Sequence, residues 1–244
     1  MNLVLIGADE VDSAGVVRLE DERAVHLLRV LRVVDAQQVR VGLIDGDAGI
    51  GTVVTHDAQS VTLRCAFTEP VPVPPIDLLL ALPRPKVLRR LWAQIAALGV
   101  RRVMLTNAER VERNYFDTHF LSPDIYRPLL LEGLQQARDT HVPVVSVHRQ
   151  FRVLVEDMLD DACGDAVRLV ADPSASSPVL DVVGAAPDRR ILLAVGPEGG
   201  WNTFELELLA RHGFTGVSMG PRTLRVDTAC VALLAIVNEA LRRT

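Results

Sequence analysis

Four prolines fall within seven residues at Glu69-Pro70-Val71-Pro72-Val73-Pro74-Pro75. Each fixes φ and removes a backbone donor, so this stretch stiffens towards polyproline II and ends any regular element. It also separates two kinds of hydrophobic pattern. Before it, residues 39–46 and 51–55 alternate as a hairpin pair and residues 60–67 as a further strand, around one small helix. That predicts a small β-barrel-like domain over residues 1–70. After it, apolar strands at 77–82, 103–106, 142–147, Val167–Ala171, Ile191–Val195 and 217–219 alternate with helices at 87–98, 123–138, 204–213 and 229–243. Such alternation predicts an α/β domain over 76–244, with a parallel sheet covered on both faces.

Composition narrows the function classes. A chain of 244 residues with 49% hydrophobic content can bury sizeable cores. No apolar run reaches the roughly 18 residues of a membrane span, and the first residues carry no basic signal region, so a cytoplasmic protein without membrane partners is expected. Cys65, Cys163 and Cys230 match no zinc spacing, so neither a metal site nor a disulfide framework is expected. The net charge of −5 argues against a protein that coats nucleic acid indiscriminately, but leaves room for local basic faces. Lys86 is the only lysine, and nearly all positive charge is arginine.

The sharpest local feature is the strand Ile191–Val195 running into Gly196-Pro197-Glu198-Gly199-Gly200, with Asn202 or Thr203 able to cap the next helix. A strand ending in glycines before a helix start presents free N–H groups at the carboxyl edge of a sheet, where open α/β folds bind ligands. It is neither a dinucleotide fingerprint nor a Walker loop. A tight turn without a ligand is the plain alternative. A second such loop, Met219-Gly220-Pro221-Arg222-Thr223-Leu224-Arg225, precedes a helix that Asp227 or Thr228 could cap. On neighbouring strands, the two loops would enclose one pocket; otherwise Arg222 and Arg225 simply pair with surface carboxylates.

These paired motifs resemble those of the RsmE family, the 16S ribosomal RNA uracil N3-methyltransferases of the SPOUT superfamily. The likeness also takes in His26-Leu27-Leu28-Arg29-Val30-Leu31-Arg32 and Asp45-Gly46, and spans essentially the whole chain. The resemblance implies a PUA-like N-terminal β-barrel for RNA and a C-terminal α/β domain tied in a trefoil knot. It implies S-adenosyl-L-methionine as cofactor, ribosomal RNA or the small ribosomal subunit as partner, and a homodimer. The family's cofactor positions fall on Gly196, Pro197, Glu198, Gly199, Gly200, Met219, Gly220 and Leu224, and its arginine in the last motif on Arg225. The family's Lys-Ala-Thr-Glu-Leu-Gly-Val is replaced here around Gln94 and Ala97, and its Glu-Gln-x-x-Arg is altered up to Asp139.

For methylation at N3 of a uridine near the decoding region, Arg225 would stabilise charge on the uracil oxygens or clamp a phosphate. Glu198 would orient a loop or contact the nucleotide. Arg23, His26, Arg29 and Arg32 would form a helical stripe for RNA, against the plain reading of a solvated basic face. Arg101-Arg102 and Arg242-Arg243 read as solvated helix-end charges, and Trp92 as core. Rival readings are a knotted methyltransferase for another RNA or base, and a noncatalytic RNA-binding relative.

Overall fold

The computed structural model describes residues 2–185 and 189–242. The chain forms two compact units, Met1–Val73 with Leu130–Val142, and Pro74–Leu129 with Pro143–Thr244.

In the first unit, β1 (Val4–Ile6), β2 (Val16–Leu19), β3 (Gln38–Leu43), β4 (Ala48–His56) and β5 (Val61–Glu69) form one sheet in the order β1-β3-β4-β5-β2. β3, β4, β5 and β2 pair antiparallel, as the alternating pattern predicts, whereas β1 runs parallel to β3. Among the described residues β1 and β2 do not pair with each other, so the sheet is a curled half-barrel rather than a closed barrel. Alternate strand positions, among them Val39, Val41, Val61 and Leu63, point into its core with Leu19 and Leu27. Helix α1 (Glu22–His26) starts where the Asp21 carboxylate accepts the Arg23 N–H at 2.8 Å. It continues as a π turn over Leu27–Leu31 that Arg32 ends at φ +50°.

Residues Leu130–Val142, read from sequence with the second domain, pack in the first unit. The Asp45-Gly46 turn holds them there. Thr140 Oγ donates to Gly46 O at 2.6 Å, the Asp45 N–H donates to Thr140 O at 2.9 Å, and the Asp45 carboxylate accepts the Val142 N–H at 2.8 Å.

The second unit is built on a sheet of β6 (Ile76–Ala81), β7 (Val100–Thr106), β8 (Val144–His148), β9 (Val167–Ala171), β10 (Ile191–Val195) and β11 (Phe214–Val217). Their order is β11-β9-β10-β6-β7-β8, and every pairing is parallel. β6 and β10 are buried at every position, which is why they read as unbroken apolar runs. The helices are α2 (Pro85–Ala97), α3 (Pro123–Ala137), which belongs to this unit only up to Leu129, α4 (Phe151–Val153), α5 (Leu159–Cys163), α6 (Val179–Gly184), α7 (Thr203–Arg211) and α8 (Val226–Arg242). α8 buries Val226, Cys230, Leu233, Leu234, Val237 and Ala240, an apolar stripe at helical spacing. It begins three residues ahead of its expected start, and Arg243 lies outside the described residues. α4, α5 and the π turn Leu154–Met158 between them, like α6, were not anticipated.

Arg101 and Arg102 are not helix-end charges. They sit on β7, where Arg101 donates to the fully buried Asp77 carboxylate at 3.0 and 2.6 Å and Arg102 donates to Ala162 O at 2.8 Å. Asp77 also faces Arg190 at 3.6 Å and accepts from Cys163 Sγ at 3.4 Å, so its buried charge is compensated. Trp92 is core, donating from Nε1 to Phe120 O at 3.2 Å.

Candidate cofactor site

The carboxyl ends of β9, β10 and β11 open onto a cavity of about 340 Å³. Gly196, Pro197, Glu198, Gly199 and Gly200 line it from one side, and Met219, Gly220, Arg222, Thr223 and Leu224 from another. Every residue expected to hold the cofactor therefore reaches one cavity. The two loops do not follow neighbouring strands, however. β9 lies between β10 and β11 and adds Ala171, Asp172 and Pro173 to the wall. Nothing around Asp172 repeats the Gly-Pro pattern, and its only sequence signal is a position at the end of an apolar strand. Its carboxylate accepts from the N–H and hydroxyl of Ser174, each at 2.8 Å, while its own N–H donates to Val217 O at 3.0 Å.

The first loop turns where the Gly200 N–H donates to Pro197 O at 2.8 Å, with Gly200 at φ +74°. In the second, the Gly220 N–H donates to Ser218 Oγ at 3.1 Å at φ +113°, a conformation closed to ordinary side chains. Trp201 packs under the first loop so tightly that a Cβ on Gly196 would stand 3.1 Å from the indole ring. The ring lies 5.3 Å from Phe151, and its Nε1 is buried without a hydrogen-bond partner among the described residues.

Residues from outside the motif hold this loop and the helix start that follows it. Glu198 Oε1 accepts the backbone N–H of Arg84 at 3.1 Å, with the Arg84 guanidinium at 4.0 Å. Arg110 donates to Gly199 O. The buried Glu205 forms a capping box with Asn202, which is thus the cap of α7, and also accepts the Glu109 N–H at 2.7 Å. Arg84 and Arg110 carry no sequence signal, because each acts through a partner far along the chain; Glu205 stands at capping-box spacing from Asn202, and only its bond to the distant Glu109 N–H is hidden from the sequence.

Arg225 is exposed, follows Leu224 directly and is not part of the cavity wall. Neither Asp227 nor Thr228 serves as the expected side-chain cap before the helix. Asp227 lies inside the first turn of α8, where Arg90 donates to it at 2.6 Å and holds its carboxyl below the usual range. His141 and His148 have structural partners: their Nε2 atoms lie 2.8 Å from Val71 O and Ser146 Oγ respectively.

In the first unit, the expected stripe of Arg23, His26, Arg29 and Arg32 is interrupted. Arg23 donates to Leu5 O at 2.8 Å and pairs with Glu10 at 2.5 Å and Asp21 at 2.6 Å, leaving its side chain 18% exposed. Those bonds push the Glu10 and Asp21 carboxyls down. His26 Nε2 is buried without a hydrogen-bond partner among the described residues, and burial lowers its pKa. Arg29 and Arg32 remain exposed, with no carboxylate within ion-pair distance among the described residues. The π turn and the left-handed Arg32 break the regular spacing that the stripe assumed.

Chemically, the cavity suits a ligand with an apolar or aromatic body and polar edges. Its volume lies in the range of about 300–1,000 Å³ typical of small-molecule sites. Val195, Trp201, Val217, Leu224 and Leu233 supply apolar walls. The backbone N–H groups of Thr223 and Leu224 find no acceptor among the described residues, and Asp172 brings negative charge that favours a cationic centre.

A family model described as an RNA methyltransferase domain matches residues 69–238, well over half the chain. The chain belongs to that family. Among curated relatives of this RNA methyltransferase, ribosomal RNA small subunit methyltransferase E of Treponema pallidum is 29% identical over 248 residues, covering 97% of this chain and 90% of that protein. Ribosomal RNA small subunit methyltransferase E 1 of Borreliella burgdorferi is 22% identical and covers 99% of each chain. The crystal structure of the Neisseria gonorrhoeae methyltransferase E bound to S-adenosyl methionine superposes with a TM-score of 0.74 at 22% identity, over 97% of both chains. The likeness read from the two Gly-Pro motifs thus extends along the whole sequence, and the architecture is shared.

Proposed function

We propose that this RNA methyltransferase uses S-adenosyl-L-methionine to methylate N3 of a uridine in the decoding region of 16S ribosomal RNA, as a cytoplasmic homodimer. The observation that carries this reading is the convergence of residues 196–200 with Met219, Gly220, Arg222, Thr223 and Leu224 on one cavity at the carboxyl edge of a parallel sheet. The names of the relatives supply the substrate class. On the same reading, the first unit is a PUA-like RNA-binding module and the last strands and α8 of the second form a trefoil knot.

The residues present fit the cofactor. The apolar walls and the aromatic Trp201 suit an adenosine, the unpaired amides of Thr223 and Leu224 suit its polar edges, and the Asp172 carboxylate suits a sulfonium cation. When bound, S-adenosylmethionine supplies an electrophilic methyl group. The protein's part is to hold donor and acceptor in line, exclude water and help the N3 proton leave. As that proton leaves, negative charge spreads to O2 and O4 of the uracil. Arg225 is placed beside the cavity loop to stabilise that charge or to hold the adjoining phosphate. Glu198 acts on the loop, through its bond to Arg84, rather than on the nucleotide. Arg29 and Arg32 supply RNA contacts in the first unit; Arg23 shapes that helix from within.

Mass spectrometry of 16S ribosomal RNA from cells lacking the protein tests the reading. Loss of a single 3-methyluridine, restored by the intact gene, is expected. Unchanged modification would defeat it.

A further inference from the structure

Helix α2 carries its charge the wrong way round. Arg84, Lys86, Arg89 and Arg90 crowd its first turns and are all exposed, while its first turn holds no acidic residue and its last turn no basic one. The positive end of a helix dipole disfavours cations, so this placement works against the helix. Burial explains none of it. Leu88, Leu91, Trp92, Ile95 and Ala96 form the buried face, and Lys86, Arg89 and Arg90 point away from it.

Two contacts fix where this basic face lies. The Arg84 N–H is held by Glu198, which lines the cavity, and Arg90 is held by Asp227, two residues past Arg225. The start of α2 therefore spans from the first cavity loop to the first turn of α8, which follows the second. Only these outer members have carboxylate partners; among the described residues Lys86 and Arg89 have none within 4 Å. With Arg222 in the cavity wall and Arg225 following Leu224 there, these exposed cations make up a basic lip on the catalytic unit.

We propose that this lip, with Lys86 and Arg89 at its centre, is an RNA phosphate-binding surface that tracks the backbone flanking the target nucleotide. It rests on the reading of the chain as a ribosomal RNA methyltransferase and adds to it a guiding surface on the catalytic unit itself. Arginine forks suit bidentate contact with phosphate oxygens, and the lysine supplies a compact charge. Neutral Gln94 and Ala97 follow on the same exposed face, so the surface ends about half-way along α2. A face that lacks carboxylates at its centre would otherwise repel itself, and a polyanion relieves that repulsion.

The test is the double variant Lys86→Ala/Arg89→Ala in the full chain, with an in vitro transcript of the small-subunit decoding region as probe. Affinity should fall about tenfold, and the slope of log K against log salt should flatten by roughly 1.5, as expected for two lost phosphate contacts. The KM for RNA should rise with kcat within about twofold and S-adenosylmethionine binding unchanged. Because alanine suits a helix and two unfavourable charges are gone, the melting temperature should hold or rise. Unchanged affinity and slope would overturn the proposal, as would loss of RNA binding accompanied by a lower melting temperature. Failure of the unaltered chain to methylate RNA would instead bring down the functional reading; the salt slopes of the two chains decide the lip independently.

Discussion

The Glu198 carboxylate accepts the backbone N–H of Arg84 at 3.1 Å, fastening a cavity loop to the start of α2. A side chain from the motif most suggestive of ligand contact is thereby occupied by the protein itself. Replacing it should loosen the loop rather than remove a ligand contact. Glu198→Ala removes a partly exposed bond worth about 1 kcal/mol, so S-adenosylmethionine binding should weaken about fivefold. Glu198→Gln keeps an acceptor and should keep most of the affinity. Calorimetric titration of both variants checks the pair, and equal losses in the two would point to the charge instead.

The glycines of the two loops should respond to alanine for different reasons. A Cβ on Gly220 meets nothing within 4 Å, so any cost there is conformational and follows from φ +113°. About 1–2 kcal/mol is expected, which for a chain of this size lowers the melting temperature by several degrees. A Cβ on Gly199 would stand 2.8 Å from Arg110 Cδ, and the arginine would have to give up Gly199 O. Gly199→Ala should therefore cost cofactor affinity with little change in melting temperature. Scanning calorimetry and binding titration on the two variants separate these outcomes.

Why the site was readable while its neighbourhood was not follows from the range of each interaction. β9 and β10 fall at their expected residues because a buried parallel strand is a short apolar run bounded by polar residues and turns, a purely local signal. That β9 separates β10 from β11 is a matter of strand order, which periodicity does not encode, and so Asp172 was overlooked. Arg101 looked like a surface charge because its partner Asp77 lies 24 residues away on the adjacent strand. The segment Phe151–Cys163 was missed because a π turn interrupts its helical repeat. Local patterns give elements and glycine loops; the straps made by Arg84 and Arg110 exist only after folding.

Asp227 and Arg90 make the start of α8 sensitive to acid. The guanidinium beside Asp227 holds its carboxyl below the ordinary value of 3.8. A depressed folded-state pKa means that the pair stabilises above the ordinary value and loses that contribution as pH falls through the lower, folded one. Both side chains are partly exposed, so the pair is worth at most about 1 kcal/mol. Asp227→Asn should melt a few degrees below the parent at neutral pH, and the gap should close below pH 3.8. A gap that persists in acid would show that the carboxylate charge is not its cause.

Arg225 is exposed, has no ion-pair partner among the described residues and follows Leu224 directly. Removing it should leave the fold and the cavity wall unchanged. If it stabilises charge on the uracil as the N3 proton leaves, Arg225→Ala should lower kcat by about 10²–10³ with S-adenosylmethionine affinity intact. A loss confined to the KM for RNA would instead assign it to the phosphate. Single-turnover methylation with saturating RNA distinguishes the two, and unchanged kinetics would release Arg225 from both roles.

The basic helix of the first unit contains two kinds of arginine that sequence alone could not tell apart. Arg23 is enclosed by Leu5 O, Glu10 and Asp21, so Arg23→Ala strands two carboxylates and a carbonyl in a half-buried setting. Breaking bonds of this charged kind costs about 2–3 kcal/mol, and the melting temperature should drop accordingly. Arg29 and Arg32 hold nothing in place. Arg29→Glu/Arg32→Glu should leave the melting temperature within a degree or two and weaken RNA binding about a hundredfold at low salt, with the loss shrinking as salt rises. Thermal melts beside salt-dependent binding titrations measure both. Intact RNA affinity in the double variant would remove this helix from RNA capture, leaving Arg23 as a wholly structural residue in a surface with another purpose.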